Sequence, residues 1–274
     1  MPTFTLGRKV DPGYKTNRII LIMTITLLLG RGLLTNDWRG SLVFSAGFFL
    51  TWALAREIDP LHEKSAFVAA FIYLSMAMWI VDVNLGVVFW TVLLLRGITK
   101  ITGKKTTIID LLGLLGLTIY LILGQENGVY GLIFTAAMVI GYRRSAKESV
   151  FKVFMLVGLA VSAWGLFSYF TLLPGEAWQM DSFRWVLLLA GLALGTFYGK
   201  MLQQDQGIRD DLGNIIETQY VFISYLCYLG MFAVLITGTA LDQGTLSLFF
   251  SVIVGVALYR GWLIGRKKPP VHGR

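Results

Sequence analysis

Ten apolar runs separated by short polar connectors leave this chain few folds other than a helical membrane bundle. The runs cover residues 18–35, 40–55, 65–81, 84–99, 108–123, 128–142, 149–172, 183–202, 217–241 and 244–264. A helix crosses the hydrocarbon core with about 20 apolar residues, and about 17 to 25 are tolerated. The early runs sit near the short limit. Turn-rich connectors join them, among them Asn36-Asp37-Trp38-Arg39, Asp82-Val83-Asn84 and Gly124-Gln125-Glu126-Asn127. Connections this short make consecutive helices antiparallel neighbours. Composition agrees: 15% of the residues are charged and 55% hydrophobic, whereas a soluble domain carries about 25% charged residues. The expected fold is an all-α polytopic integral membrane bundle of about ten transmembrane helices. It forms one membrane domain over 1–274, with a short-hairpin half, 1–142, and a longer-helix half, 143–274.

Charge placement predicts the orientation. With ten crossings and a cytoplasmic N-terminus, 21 of the 24 Lys and Arg residues fall on the cytoplasmic side; Arg31, Arg39 and Arg184 are the remainder. This is the positive-inside asymmetry, and it predicts that both termini are cytoplasmic in a prokaryotic inner (plasma) membrane. Miscounting one helix would invert every later loop and destroy the pattern. The net charge of +8 therefore reads as membrane anchoring, with lipid bilayer and anionic headgroups as partners and no nucleic acid. The first run is followed by Gly30-Arg31-Gly32 rather than a small-x-small cleavage site, so it reads as a retained span.

Two repeat patterns are compatible with the runs. Gly47 to Arg56, Gly86 to Arg96 and Gly131 to Arg143 share a Gly-apolar-Thr-Arg order, as a threefold hairpin repeat would. A division into five plus five spans suits an inverted-repeat transporter, although no residue match joins those halves. Gly191, Gly195 and Gly199 share one helix face, which reads as close packing or as a surface for sliding.

Chemistry has few places to reside. The centres of the runs hold Ser, Thr and Tyr but almost no ionisable residue. A proton-coupled carrier usually needs a titratable group at that depth, whereas a sodium site can be built from hydroxyls and carbonyls. Cys227 is the single cysteine and the histidines are His62 and His272, so neither a disulfide framework nor a cysteine- or histidine-rich metal site is expected. No cofactor is indicated.

The densest group of reactive side chains is the connector after the second run, with Arg56, Glu57, Asp59, His62 and Glu63. Asp59-Pro60 has the form of a helix start, Asp capping and Pro in the first turn. Arg56 and Asp59 have the i,i+3 spacing of an ion pair. One reading is a topology anchor beside a capped turn. The other is a substrate site at the cytoplasmic interface. In it Arg56, Arg96 and Lys100 bind an anionic group, Glu57, Asp59 or His62 moves protons, and Asp110 stands nearby. The Lys104-Lys105-Thr106-Thr107 stretch is a poor phosphate-loop match and reads as anionic-lipid attraction. The acidic loop with Asp205, Asp210 and Asp211 lacks a recognised diphosphate-binding spacing.

The segment from Trp52 to Pro60, with Ser65-Ala66-Phe67, Arg96, Thr102-Gly103 and Asp110, resembles a pattern of uncharacterised prokaryotic polytopic membrane proteins. The resemblance implies a multi-pass membrane protein and no particular activity. An acidic residue is expected after Pro60 in that pattern; Leu61 stands there instead, which weakens a metal site. The ten-span arrangement is also similar to that of drug/metabolite transporters, without their residue motifs. The sequence thus favours a permease-like protein for a small solute or lipid-linked substrate. The alternatives are a membrane enzyme acting on a phosphate-bearing lipid at the cytoplasmic interface and a non-catalytic scaffold.

Overall fold

The structure, a computed structural model, describes residues 4–7, 10–78, 82–100, 103–144, 149–169, 180–203, 207–208 and 213–266. Ten α-helices lie among them: α1 (Lys15–Thr35), α2 (Trp38–Ile58), α3 (Glu63–Ala77), α4 (Leu85–Thr99), α5 (Ile108–Gly124), α6 (Val129–Arg144), α7 (Ser149–Ser168), α8 (Ser182–Leu202), α9 (Thr218–Gly238) and α10 (Gln243–Arg266). Each coincides with one of the ten apolar runs. Six of them, α1, α2 and α7 to α10, are long and apolar enough to cross a membrane. The 15 to 17 residues of α3 to α6 give about 22–26 Å of helix at 1.5 Å per residue, short of a core of about 30 Å. Trp79, Trp178, Asp205, Arg209, Asp210, Asp211 and His272 lie outside the described residues.

Helix α4 lies at the centre and packs against α2, α5, α6, α9 and α10; α10 packs in turn on α2, α3 and α8. Aromatic residues fill this interior: Phe48, Tyr73, Trp90, Tyr130, Phe134, Tyr225, Tyr228 and Phe249 are all fully buried. The perimeter is equally apolar. Only 11% of the α1 span is buried although its mean hydropathy is 1.7, and Ile22, Ile25, Leu29, Leu33 and Leu34 face outward. Leu156, Leu159 and Phe167 of α7 and Val186 and Leu189 of α8 extend this apolar surface. A contiguous apolar exterior on this scale is untenable in water and is what lipid requires, so the chain is a membrane-embedded helical bundle.

Most hydroxyls inside the helices are satisfied within their own turn. Thr24, Thr51, Thr91, Thr118, Ser162 and Thr237 each donate to the carbonyl four residues back, so they add polarity without breaking the helix. The glycine face of α8 is occupied. A Cβ on Gly191 would stand 2.6 Å from Phe232, and one on Gly195 2.6 Å from Leu229. The Tyr225 hydroxyl donates to the Gly195 carbonyl at 2.6 Å. The stripe is therefore a close-packed seam between α8 and α9.

Candidate functional site

The connector between α2 and α3 departs in detail from the expected capped turn. Asp59 ends α2 as its C-cap and does not start α3; His62 occupies the N-cap of α3 without a side-chain cap bond. The reason is that Asp59 has a stronger local partner: its Oδ1 lies 3.0 Å from His62 Nδ1. The expected Arg56–Asp59 pair is replaced by an Arg56–Glu63 pair at 3.0 Å, because Asp59 turns inward and is fully buried while Glu63 is half exposed.

Two separate charged clusters result. In the first, Arg96 Nε donates to Glu57 Oε1 at 2.7 Å, joining the last turn of α4 to the last turn of α2. Glu57 is completely buried and the Arg96 side chain only 12% exposed. Arg96 Nη1 also donates to the Leu6 carbonyl at 3.2 Å. In the second, Asp59 and His62 meet Arg260 of α10, whose Nη1 lies 3.0 Å from His62 Nδ1 and 3.1 Å from its Nε2. Nδ1 cannot donate to Asp59 and accept from arginine together. The geometry reads as Nδ1–H donating to Asp59 and Nε2 accepting from Arg260. Arg260 Nη2 then donates to the Met201 carbonyl at 3.2 Å, and Tyr198 donates to the Ile58 carbonyl at 3.2 Å. These bonds tie the C-terminal ends of α2 and α8 to α10. From the sequence Arg260 reads only as one of the cytoplasmic-side charges expected of the topology. Its position a turn and a half before Arg266, inside the last run, was the available signal.

Asp110 is a structural clamp. It forms a capping box with Thr107 at the start of α5. Its carboxylate also accepts from the Thr5 amide at 2.6 Å, the Thr5 hydroxyl at 2.6 Å and the Leu6 amide at 3.2 Å. The N-terminal segment is thereby strapped across the bundle end, held by Asp110 on one side and by Arg96 on the other. Replacing Asp110 with Asn leaves one acceptor oxygen where several donors converge. We expect D110N to release the strap, read as earlier cleavage near residues 4–10 in limited proteolysis, and to lower stability by about 1–3 kcal/mol. Unchanged cleavage would show that other contacts hold the strap.

Beneath the strap lies a cavity of about 210 Å³ between α1, α2 and α4. Arg56, Glu57, Arg96, Trp52 and Asn17 supply its polar lining; Phe4, Gly7 and Val10 cover it; Phe49, Leu50 and Phe89 line its apolar end. The lining descends seven residues along α2 from Arg56 to Phe49, about 10 Å at helical rise. Trp52 Nε1 and Glu57 Oε2 are buried with no hydrogen-bond partner in the protein. A stranded donor or acceptor costs about 1–3 kcal/mol, and both atoms are closed to a water-sized molecule in this structure.

Lys100 does not join Arg56 and Arg96. It ends α4 in the left-handed conformation, φ 51°, and faces a second hollow with Lys104, Lys105, Arg144, Glu217 and Tyr220. Among the described residues no three His, Cys, Asp or Glu side chains converge as a metal site would require. No family model, curated protein or solved structure matches the chain.

Proposed function

We propose that the chain is a permease-like protein of about ten crossings with cytoplasmic termini, and that the Arg56–Glu57–Arg96 cavity binds its solute at the cytoplasmic end. The observation that supports this most is that two arginines line one cavity with Trp52 and Glu57, whose Nε1 and Oε2 are partnerless and closed to a water-sized molecule, so that solute entry must open them. The matching solute is small and carries both an anionic group and a hydrogen-bond donor. Binding is favoured over catalysis by the fates of the acid–base candidates. Glu57 is locked to Arg96, and Asp59 and His62 are turned away to Arg260. Mobility is available in one wall, because among the described residues α1 packs extensively against α2 alone.

Orientation is tested by replacing Cys227 with Ser and placing single cysteines at Asp37 and at Lys104. In right-side-out vesicles an impermeant maleimide is expected to label D37C at once and K104C only after permeabilisation. The reverse pattern would overturn the topology. The site is tested by melting the purified protein with inorganic phosphate, glycerol 3-phosphate, ethanolamine phosphate or glutamate, with glycerol as the uncharged control. One of the four anions is expected to raise the wild-type midpoint, R56Q to abolish the shift, and W52F to weaken binding about five- to tenfold, the loss of one hydrogen bond. Equal shifts in R56Q and wild type would contradict the assignment.

A further inference from the structure

A second feature lies on the opposite side of α4. The hollow that holds Lys100, Lys104, Lys105 and Arg144 measures about 260 Å³. A groove of about 350 Å³ runs between α6 and α9 along Ile98, lined by Leu132, Ile133, Ala136, Ala137, Ile140, Cys227, Gly230, Met231 and Val234. The two hollows have no lining residue in common but are built on the same three elements, α4, α6 and α9. On α6, residues 132, 136 and 140 continue at i+4 spacing to Arg144. On α9, Gly230, Met231 and Val234 lie on the helix that begins beside Glu217 and Tyr220. On α4, Ile98 borders the groove and Lys100 the basic hollow. Helical periodicity thus aligns the basic hollow with one end of the apolar groove, and the two together form a trough with cations at its end.

We propose that this trough is a binding site for one anionic phospholipid, distinct from the solute cavity. The headgroup phosphate sits among Lys100, Lys104, Lys105 and Arg144, and an acyl chain lies between α6 and α9. Arg144 is positioned for that role by its own contacts: it donates to the Ile98 carbonyl, and its guanidinium lies 4.3 Å above the Tyr220 ring. This fixed guanidinium is partly buried, while Lys104 and Lys105 are exposed at the rim of the hollow. Glu217 is the opposing charge; its carboxylate accepts from Gln219, at the exposed edge. Basic pockets between membrane helices on the cytoplasmic side select anionic headgroups, and charge complementarity combined with an apolar trough requires a ligand with both parts. The groove is open where a chain would lie: a Cβ added to Gly230 meets no atom within 4 Å.

The test uses the full chain in mild detergent and native mass spectrometry, titrated separately with phosphatidylglycerol, phosphatidylcholine, glycerol 3-phosphate and inorganic phosphate. Phosphatidylglycerol is expected to bind as a single tight adduct, and phosphatidylcholine and the two soluble phosphates far more weakly. Two variants divide the site. K104Q/K105Q removes rim charge and is expected to weaken phosphatidylglycerol binding roughly 10- to 30-fold. G230L fills the open groove and is expected to weaken it without altering the solute response of the first cavity. A136F fills the same groove from α6 and serves if G230L fails to fold. Equal retention of the two phospholipids, soluble phosphate binding as tightly as the lipid, or full phosphatidylglycerol binding in a folded groove-filling variant would each overturn the proposal.

Discussion

Replacing Arg96 with Met is expected to remove most folded protein from a detergent extract. The substitution leaves Glu57, which is fully buried, without its cationic partner, and it releases the Leu6 carbonyl from the strap. Breaking a buried ion pair from one side costs about 3–5 kcal/mol, because the remaining charge has lost both water and partner. That is a large fraction of the roughly 5–15 kcal/mol that separates typical folded and unfolded states. The double variant E57M/R96M is expected to recover most of the loss, since two apolar side chains of similar volume often replace a buried pair without penalty. Melting of the single and double variants by size-exclusion yield distinguishes the cases. A single variant as stable as wild type would show that the fold does not depend on the Glu57–Arg96 pair.

Gly255→Val is expected to be comparably damaging for a different reason. A Cβ on Gly255 would lie 2.4 Å from the Cα and 2.5 Å from the amide nitrogen of Ala69. No rotamer change relieves contact with backbone, so α10 must move away from α3, with which it shares one of the most extensive helix interfaces. Overpacking costs about 1–3 kcal/mol where side chains can adjust, and the rigid backbone contact puts this site at the upper end or beyond. Gly230→Ala, on the open groove, is the control and is expected to melt like wild type. Equal stability of G255V and G230A would show that the α3–α10 seam is loose.

The helices were legible in the sequence because apolar run length and the polar connectors report the same boundaries. The charge asymmetry predicts a direction for those helices but says nothing of which ones touch. Long-range partners were the illegible part. Nothing in the order of residues shows that Arg260 meets His62 across 198 positions, or that Thr5 crosses to Asp110. Local spacing even pointed the wrong way at Asp59, where an i,i+3 pair with Arg56 was available but the nearer imidazole took the carboxylate. The candidate residues were recognised as a group by density alone; the fold divides them. Arg56, Glu57 and Arg96 line a cavity, Asp59 and His62 belong to a structural cluster, Asp110 clamps the N-terminal strap, and Lys100 faces the basic hollow.

The permease-like account is tested most directly by flux through reconstituted protein. Proteoliposomes containing wild type or R56Q are given a radiolabelled form of whichever anion stabilises the detergent-solubilised protein, and exchange with unlabelled internal solute is followed. The account predicts saturable exchange by the wild type that is lost in R56Q while the variant remains folded. Binding without exchange, or equal exchange in both proteins, would contradict it.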